Sequence, residues 1–389
     1  MRIAFFTDTY YPELNGVATS VENFAEALRK QGHTVYIFAP KIKGTYKDND
    51  RSVFRLPSLK VLSHVEPEIY APTLWPNKNF RRMFNKKFDI IHAHGNGPYS
   101  LLGLSVARLK GVPFVMTFHT IHTYYTHYIF NGHVITPKMV EIALKTFAQR
   151  CDGVFTPSEK MKKELQKYGV KKEITVVPNF LDFERFAHYK KNYLYKLLNL
   201  SLDIPLIVTV GRIGKEKNID FILRVFKQVF AKDAKSHLVV VGKGPEKDNL
   251  QVLARKLKIA DRTHFVGAVD YANMPSVYHN AVLFVFASYT ETQGVCVLEA
   301  ASAGIPSVVS DDGAFQNMVV NGENGFTLPL DEDIFAEKIL LLLNDHKLRD
   351  QLAKKSRAVA LRNFDGEKIT EKLVKQYLSV KKIHHDKRE

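Results

Sequence analysis

The 389-residue sequence is short of cysteine, of acidic residues and of long apolar runs, and each shortage removes a class of protein. Its two cysteines, Cys151 and Cys296, lie far apart. They can form neither a disulfide framework nor a Cys-rich zinc site, which suits a reducing compartment. No run approaches the roughly 18 apolar residues that a spanning helix needs. The apolar stretch after Met1-Arg2 ends at Asp8, too soon for the core of a signal peptide. A cytoplasmic protein is expected, one that can still lie on the cytoplasmic leaflet of a membrane. Also missing are low-complexity tracts, short repeats, a G-x-G-x-x-G dinucleotide fingerprint and a Gly-x4-Gly-Lys-Ser/Thr phosphate loop.

The acidic shortage is quantitative: 40 Asp and Glu face 56 Lys and Arg, a formal net charge of +16. Such an excess attracts something anionic, whether nucleic acid, an acidic lipid surface or a phosphorylated substrate. Residues 1–178 hold 25 basic and 14 acidic residues, and residues 179–389 hold 31 and 26, so most of the excess lies in the first part. RNA-recognition signatures, zinc fingers and basic helices with heptads are absent from the sequence, which argues against a nucleic-acid-binding protein. At 45% hydrophobic and 25% charged residues the composition is that of a folded chain, not a disordered or collagen-like one. At roughly 150 residues per domain, two domains are expected and three are the limit.

What is present is an alternation of β-rich runs and helical periodicity. Strands are predicted at Arg2–Thr7, Thr34–Ala39, Asp89–Ala93, Phe114–Phe118, Val154–Thr156 and Ile174–Val177, with helices over Val17–Gln31 and Leu101–Lys110. In the first helix Val21, Phe24, Ala25 and Leu28 recur at three- and four-residue spacing, and Gly32 stops it. The rhythm restarts with Leu206–Val210, His237–Val241, His264–Val266, Leu283–Ala287 and Ser307–Ser310. Short strands separated by helices imply a parallel sheet wrapped on both faces. The expected class is therefore α/β: a Rossmann-like domain over 1–178, a linker over 179–204, and a second Rossmann-like domain over 205–361. A C-terminal helix and tail over 362–389 can cross back to the first domain. Two doubly wound domains facing a central cleft would bind ligands outside the carboxyl ends of their strands.

The loops after those strands carry the candidate chemistry. Asn15-Gly16 opens the first helix, where Gly16 lets a ligand approach the backbone; an ordinary capped helix start reads the same way. Gly211-Arg212-Ile-Gly-Lys-Glu-Lys217 follows a strand, so Arg212 and Lys217 suit a diphosphate, or a solvated basic loop. Glu291-Thr-Gln-Gly-Val-Cys-Val-Leu-Glu299 is the sharpest pattern. Backbone N–H groups from Gly294 through Val295, Cys296 and Val297 can hold a phosphate at a helix start. Glu291 then faces a sugar and Glu299 a ribose, although acidic residues also merely decorate first turns. His119 ends a strand, where histidines are often structural. His92-x-His94 lacks the partners of a zinc site, and Asp48-Asn49-Asp50 reads as a solvated turn. Arg81, Arg82, Lys86 and Lys87, interleaved with Trp75, Phe80, Met83, Phe84 and Phe88, and the aromatic stretch with Tyr124, Tyr125 and Tyr128 suit an anionic membrane surface. A core-facing helix with a solvated basic face fits the first of these equally.

Together these stretches resemble the retaining glycosyltransferases of the glycogen-synthase-like superfamily, which have the GT-B fold. The resemblance runs from Met1 to about Tyr377 and rests on Asn15-Gly16, His119, Gly211-Arg212 with Lys217, Val241-Gly-Lys-Gly-Pro245, and Glu291 with Glu299. Phe6-Thr-Asp-Thr-Tyr-Tyr-Pro12, Phe118-His-Thr120 with His127-Tyr128, and Glu291-Thr-Gln-Gly294 look like diacylglycerol α-glucosyltransferases. The resemblance implies that Arg212 and Lys217 bind the donor diphosphate, Glu299 the ribose and Glu291 the transferred sugar. It places His119 near the hexose 6-position, Gly16 against the donor, and Gly267 to Val269 beside the nucleobase. It further implies a metal-independent reaction using a nucleotide sugar, expected to be UDP-glucose. The implied acceptor is a lipid, diacylglycerol first, with phosphatidylinositol or a cell-wall sugar as the alternative.

Overall fold

The computed structural model describes residues 1–13, 15–42, 48, 50–62, 69–73, 77–121 and 136–386. They divide into two units, Met1–Asn179 with Gly366–Glu389, and Phe180–Asp365. The first unit runs β1 (Arg2–Thr7), α1 (Gly16–Lys30), β2 (Thr34–Pro40), β3 (Val53–Leu56), β4 (Ser58–Leu62), β5 (Ile69–Pro72), α2 (Lys78–Asn85) and β6 (Ile90–His94). It continues through α3 (Pro98–Lys110), β7 (Phe114–Thr117), α4 (Pro137–Arg150), β8 (Gly153–Thr156), α5 (Glu159–Lys167) and β9 (Ile174–Val176). The sheet order is β3-β2-β1-β6-β7-β8-β9, with β4 and β5 forming a separate antiparallel pair. From Ile3 onward β1 is buried at every residue, as a parallel strand covered on both faces must be.

Local chemistry sets the helix starts around this sheet. The Asn15 side chain accepts from Val17 N at 3.1 Å and Ala18 N at 3.0 Å, capping α1, a device worth about 1 kcal/mol. Helix α3 has Pro98 in its first turn and is capped from a distance: Asp8, just after β1, accepts from Gly97 N at 2.9 Å and Tyr99 N at 2.8 Å. The C-terminal helix Gly366–Asp386 completes this unit, burying Leu373, Tyr377 and Val380.

The second unit runs α6 (Tyr193–Leu198), β10 (Leu206–Val210), α7 (Ile219–Lys232), β11 (His237–Val241), α8 (Lys247–Lys256), β12 (Thr263–Gly267) and α9 (Met274–His279). It continues through β13 (Leu283–Phe286), α10 (Val295–Ser302), β14 (Ser307–Ser310), β15 (Gly325–Leu328), α11 (Glu332–Asn344) and α12 (His346–Asn363). Its sheet order is β12-β11-β10-β13-β14-β15, all parallel. The order reverses between β10 and β13, and in the first unit between β1 and β6. Such switch points leave a crevice beyond the strand ends, the usual ligand position in open α/β sheets.

Two expectations need adjusting. The segment 179–204 is not a free spacer, because from Phe180 onward it packs as part of the second unit. Phe186 and Leu194 are fully buried, Lys190 N donates to Ser276 Oγ at 2.9 Å, and Leu194 N donates to Asn280 Oδ1 at 3.0 Å. Strands β3, β4, β5 and β15 were not expected from the sequence. Each is only four or five residues long, and β3 sits beside the charged stretch Asp48–Arg51.

Candidate active site

The site residues of the second unit come from the two loops that flank its switch point. After β10 the chain turns through Gly211 and Arg212 to a 3-10 turn at Lys215–Lys217, and Asn218 in the left-handed region starts α7. This loop lies backbone to backbone against the one after β11: Gly211 N donates to Val241 O at 3.0 Å and Ile213 N to Lys243 O at 2.8 Å. A side chain at Gly242 would place its Cβ 1.8 Å from Gly211 O, so only glycine allows the approach. Glu216, 4% exposed, then holds Arg212 through Arg212 Nη1–Glu216 Oε1 at 3.3 Å.

The loop after β13 supplies the opposite charge. Lys217 forms an ion pair with Glu291, joining the two loops directly, and its Nζ sits 5.6 Å from the Phe286 ring centroid. Ser288 Oγ donates to Glu291 Oε1 at 2.7 Å and lies 3.2 Å from the Glu216 carbonyl oxygen. Gly294, at φ +76°, turns the chain into α10, so Val295, Cys296 and Val297 form that helix's first turn. Backbone N–H groups at a helix start are suited to an anion. Burial and the Glu291 carboxylate push the Cys296 thiol well up, keeping it protonated.

Glu299 lies one turn further and accepts from Tyr278 Oη at 2.7 Å. Burial raises its carboxyl to about 7, although the Tyr278 hydrogen bond opposes the shift. At the end of β12, Gly267 accepts from Gly242 N at 2.8 Å, and Val269 is half-buried beyond it. The structure thus brings together Arg212, Lys217 and Glu291, with Glu216 and Ser288 as supports that the sequence reading missed. Glu216 was hidden between two lysines, where an acidic residue reads as a solvated charge. Ser288 follows its strand directly, but a lone serine carries no distinguishing signal.

In the first unit, Gly16 is the first residue of α1 behind its Asn15 cap. His119 is 8% exposed, and its Nε2 is 3.1 Å from His94 Nδ1. His92 and His94 are buried in β6. Asp48 is ion-paired with Arg55 at 2.8 Å and Asp50 with Arg29 at 2.9 Å, so both carboxylates have partners of their own.

The basic segment divides on inspection. Arg81, Arg82 and Lys87 are exposed, whereas Lys86 is half-buried with Nζ 4.0 Å from the Tyr36 ring centroid. Phe80, Met83 and Phe88 pack into the core, leaving Phe84, at 43% exposed, as the large apolar residue at the surface. The interleaved apolar residues are therefore mainly core packing, because α2 turns one stripe inward. Tyr124, Tyr125, Tyr128 and Trp75 lie outside the described residues. No helix among those described is long and apolar enough to cross a membrane.

Two parallel-sheet Rossmann-like units are the architecture of the GT-B fold, and comparison with known proteins agrees. Residues 196–359 match the family described as "Glycosyl transferases group 1", and residues 14–185 match "Glycosyltransferase Family 4". Alpha-monoglucosyldiacylglycerol synthase of Streptococcus pneumoniae is 32% identical, over 95% of this chain and 85% of that protein. The synthase of the same name from Acholeplasma laidlawii is 30% identical, over 88% of this chain and 89% of that protein. Sucrose-phosphate synthase from Thermosynechococcus elongatus superposes with a TM-score of 0.77 at 20% identity, covering 97% of this chain and 98% of that one. HepE of Anabaena, solved with UDP-glucose, gives a TM-score of 0.75 at 17% identity, covering 97% and 100%. The chain belongs to the group 1 glycosyltransferases, alongside the α-monoglucosyldiacylglycerol synthases.

Proposed function

We propose that this chain transfers glucose from UDP-glucose to 1,2-diacylglycerol with retention of the α configuration, working at an anionic membrane surface. The observation that carries the reading is the joining of Arg212, Lys217 and Glu291 at the β10–β13 switch point, in a chain whose 30–32% identical relatives are named as α-monoglucosyldiacylglycerol synthases. UDP-glucose as donor draws support from the complex of HepE.

In this reading the diphosphate lies against Arg212, Lys217 and the N-terminus of α10. Negative charge grows on it as the bond from the sugar C1 breaks. Donors fixed beforehand stabilise that charge without reorganising, usually the largest catalytic contribution. The acceptor hydroxyl attacks C1 from the face the diphosphate leaves, and a departing phosphate oxygen takes the hydroxyl proton. Glu291 and His119 hold the hexose, and Glu299 accepts from the ribose hydroxyls. Gly16 lets the donor lie close to the backbone, and Gly267 to Val269 border the base. No metal is assigned a role.

Arg81, Arg82 and Lys87 form the proposed contact with anionic lipid, worth about 1 kcal/mol per basic residue near such a surface. The test is an acceptor screen with labelled UDP-glucose and anionic vesicles holding diacylglycerol, phosphatidylinositol or neither, beside soluble sugars. Labelled glucolipid from diacylglycerol vesicles is expected. Label passing only to a soluble sugar, or only to phosphatidylinositol, would sink the acceptor assignment.

A further inference from the structure

One buried cluster in the first unit lies behind His119. Strand β6 carries His92 and His94 two residues apart, so both leave the same face of the sheet. The loop after β7 brings His119 beside them. His94 is fully buried; its ring lies 4.1 Å from that of His92, runs nearly parallel to that of His119 at 5.4 Å, and takes Phe5 edge-on at 4.6 Å between centroids. Burial lowers all three imidazoles, His119 to about 4, so each is neutral and carries a single N–H at neutral pH.

The hydrogen bonds then fix where those protons sit. His92 Nδ1 is 2.6 Å from Tyr377 Oη and its Nε2 is 2.7 Å from Thr117 Oγ1. Both partners are hydroxyls able to donate or accept, so either tautomer of His92 is satisfied. His94 has no such freedom. Its Nδ1 is 3.1 Å from His119 Nε2, while its own Nε2 is buried with no hydrogen-bond partner among the described residues. If His119 donated from Nε2, the proton of His94 would sit on that buried Nε2 as an orphaned donor, which folded proteins rarely tolerate. If His94 donates from Nδ1, only a lone pair is left at its Nε2. The proton of His119 is then on Nδ1.

We propose that His94 is a positioning residue that holds His119 in its Nδ1–H tautomer, the form in which His119 meets the transferred sugar. The second half rests on the reading of His119 as a hexose contact; the first does not. A buried partner that selects one tautomer of an active-site histidine acts on the rate rather than on the fold.

The full chain labelled with ¹⁵N-histidine gives the direct test, since long-range ¹H–¹⁵N spectra show which ring nitrogen bears the proton, and H119N identifies the His119 signals by their loss. His119 protonated on Nδ1 at neutral pH is expected. In H94F that preference should be lost, and in H94N, whose amide reaches the former Nδ1 position, it should persist. With UDP-glucose and diacylglycerol vesicles, H94F should lower kcat about tenfold or more with KM little changed, and H94N should regain most of it. Nε2–H in the wild-type protein, or an unchanged His119 spectrum in H94F, overturns the proposal; should H94F not fold, the wild-type and H94N spectra decide. A wild-type protein that shows Nδ1–H but transfers no glucose sustains the tautomer assignment and defeats the transferase reading.

Discussion

In its proposed role against the ribose, Glu299 makes donor binding pH-sensitive in a definite direction. Its carboxyl is raised to about 7 by burial, so below neutrality it is largely protonated and above it ionised. An ionised carboxylate accepts the ribose hydroxyls, so bound donor favours the charged form. Affinity for UDP-glucose should therefore rise as the pH climbs toward 7 and level off above it. Glu299→Gln should flatten the profile, and calorimetric titrations of both proteins between about pH 5.5 and 8 decide the matter. A flat wild-type profile would contradict the assignment. The same shift acts on folding in the opposite sense: the folded chain keeps this proton above the unfolded value of 4.5, so stability falls as pH rises from 4.5 to about 7. Arg212, Lys217, Glu291 and Glu299 were legible because long or charged side chains just after apolar runs stand out. Glu216, Ser288 and His94 were not: an acid between two lysines and a lone serine carry no distinguishing signal, and His94 meets His119 only through the pairing of β6 with β7.

Among the elements, the turn from β13 into α10 is the least tolerant. Gly294 has φ +76°, and an added Cβ would meet Phe315 Cε1 at 2.4 Å. Glycine alone satisfies both the backbone and the space. Gly294→Ala should cost about 1–3 kcal/mol, with donor affinity falling as the helix start shifts. A thermal scan showing an unchanged midpoint would refute this. Most central strands were readable because a parallel strand buried on both faces is a nearly continuous apolar run, as in β1, β10, β11 and β13. The edge strands β3 and β15 were not, being four residues long with charged or half-exposed positions. The segment 179–204 was misread for a related reason. Its burial comes from Phe180, Leu181, Phe183, Phe186 and Leu194, whose spacing follows neither a strand nor a helix period, α6 burying Leu194 alone.

Over the whole molecule, the charge excess separates into a local part and a distributed part. Arg212 and Lys217 are held by Glu216 and Glu291 in the second unit, while the sequence up to residue 178 carries the larger surplus. The triple variant R81E/R82E/K87E should weaken binding to anionic vesicles by about 100-fold or more at low salt, from roughly 1 kcal/mol per charge. Binding of UDP-glucose should be unaffected. Equal vesicle binding by variant and wild type, measured by sedimentation, would remove α2 from the membrane face. The joined loops after β10 and β13 are proposed to carry out glucosyl transfer to diacylglycerol. Its most direct measurement is the initial rate of labelled glucolipid formation by the wild-type protein and by Glu291→Ala, on the same diacylglycerol vesicles, with the melting midpoint of each recorded. Product is expected from the wild type and a rate lower by about 100-fold or more from the variant, with both proteins folded. No glucolipid from the wild type, or equal rates from the two, would contradict the proposal.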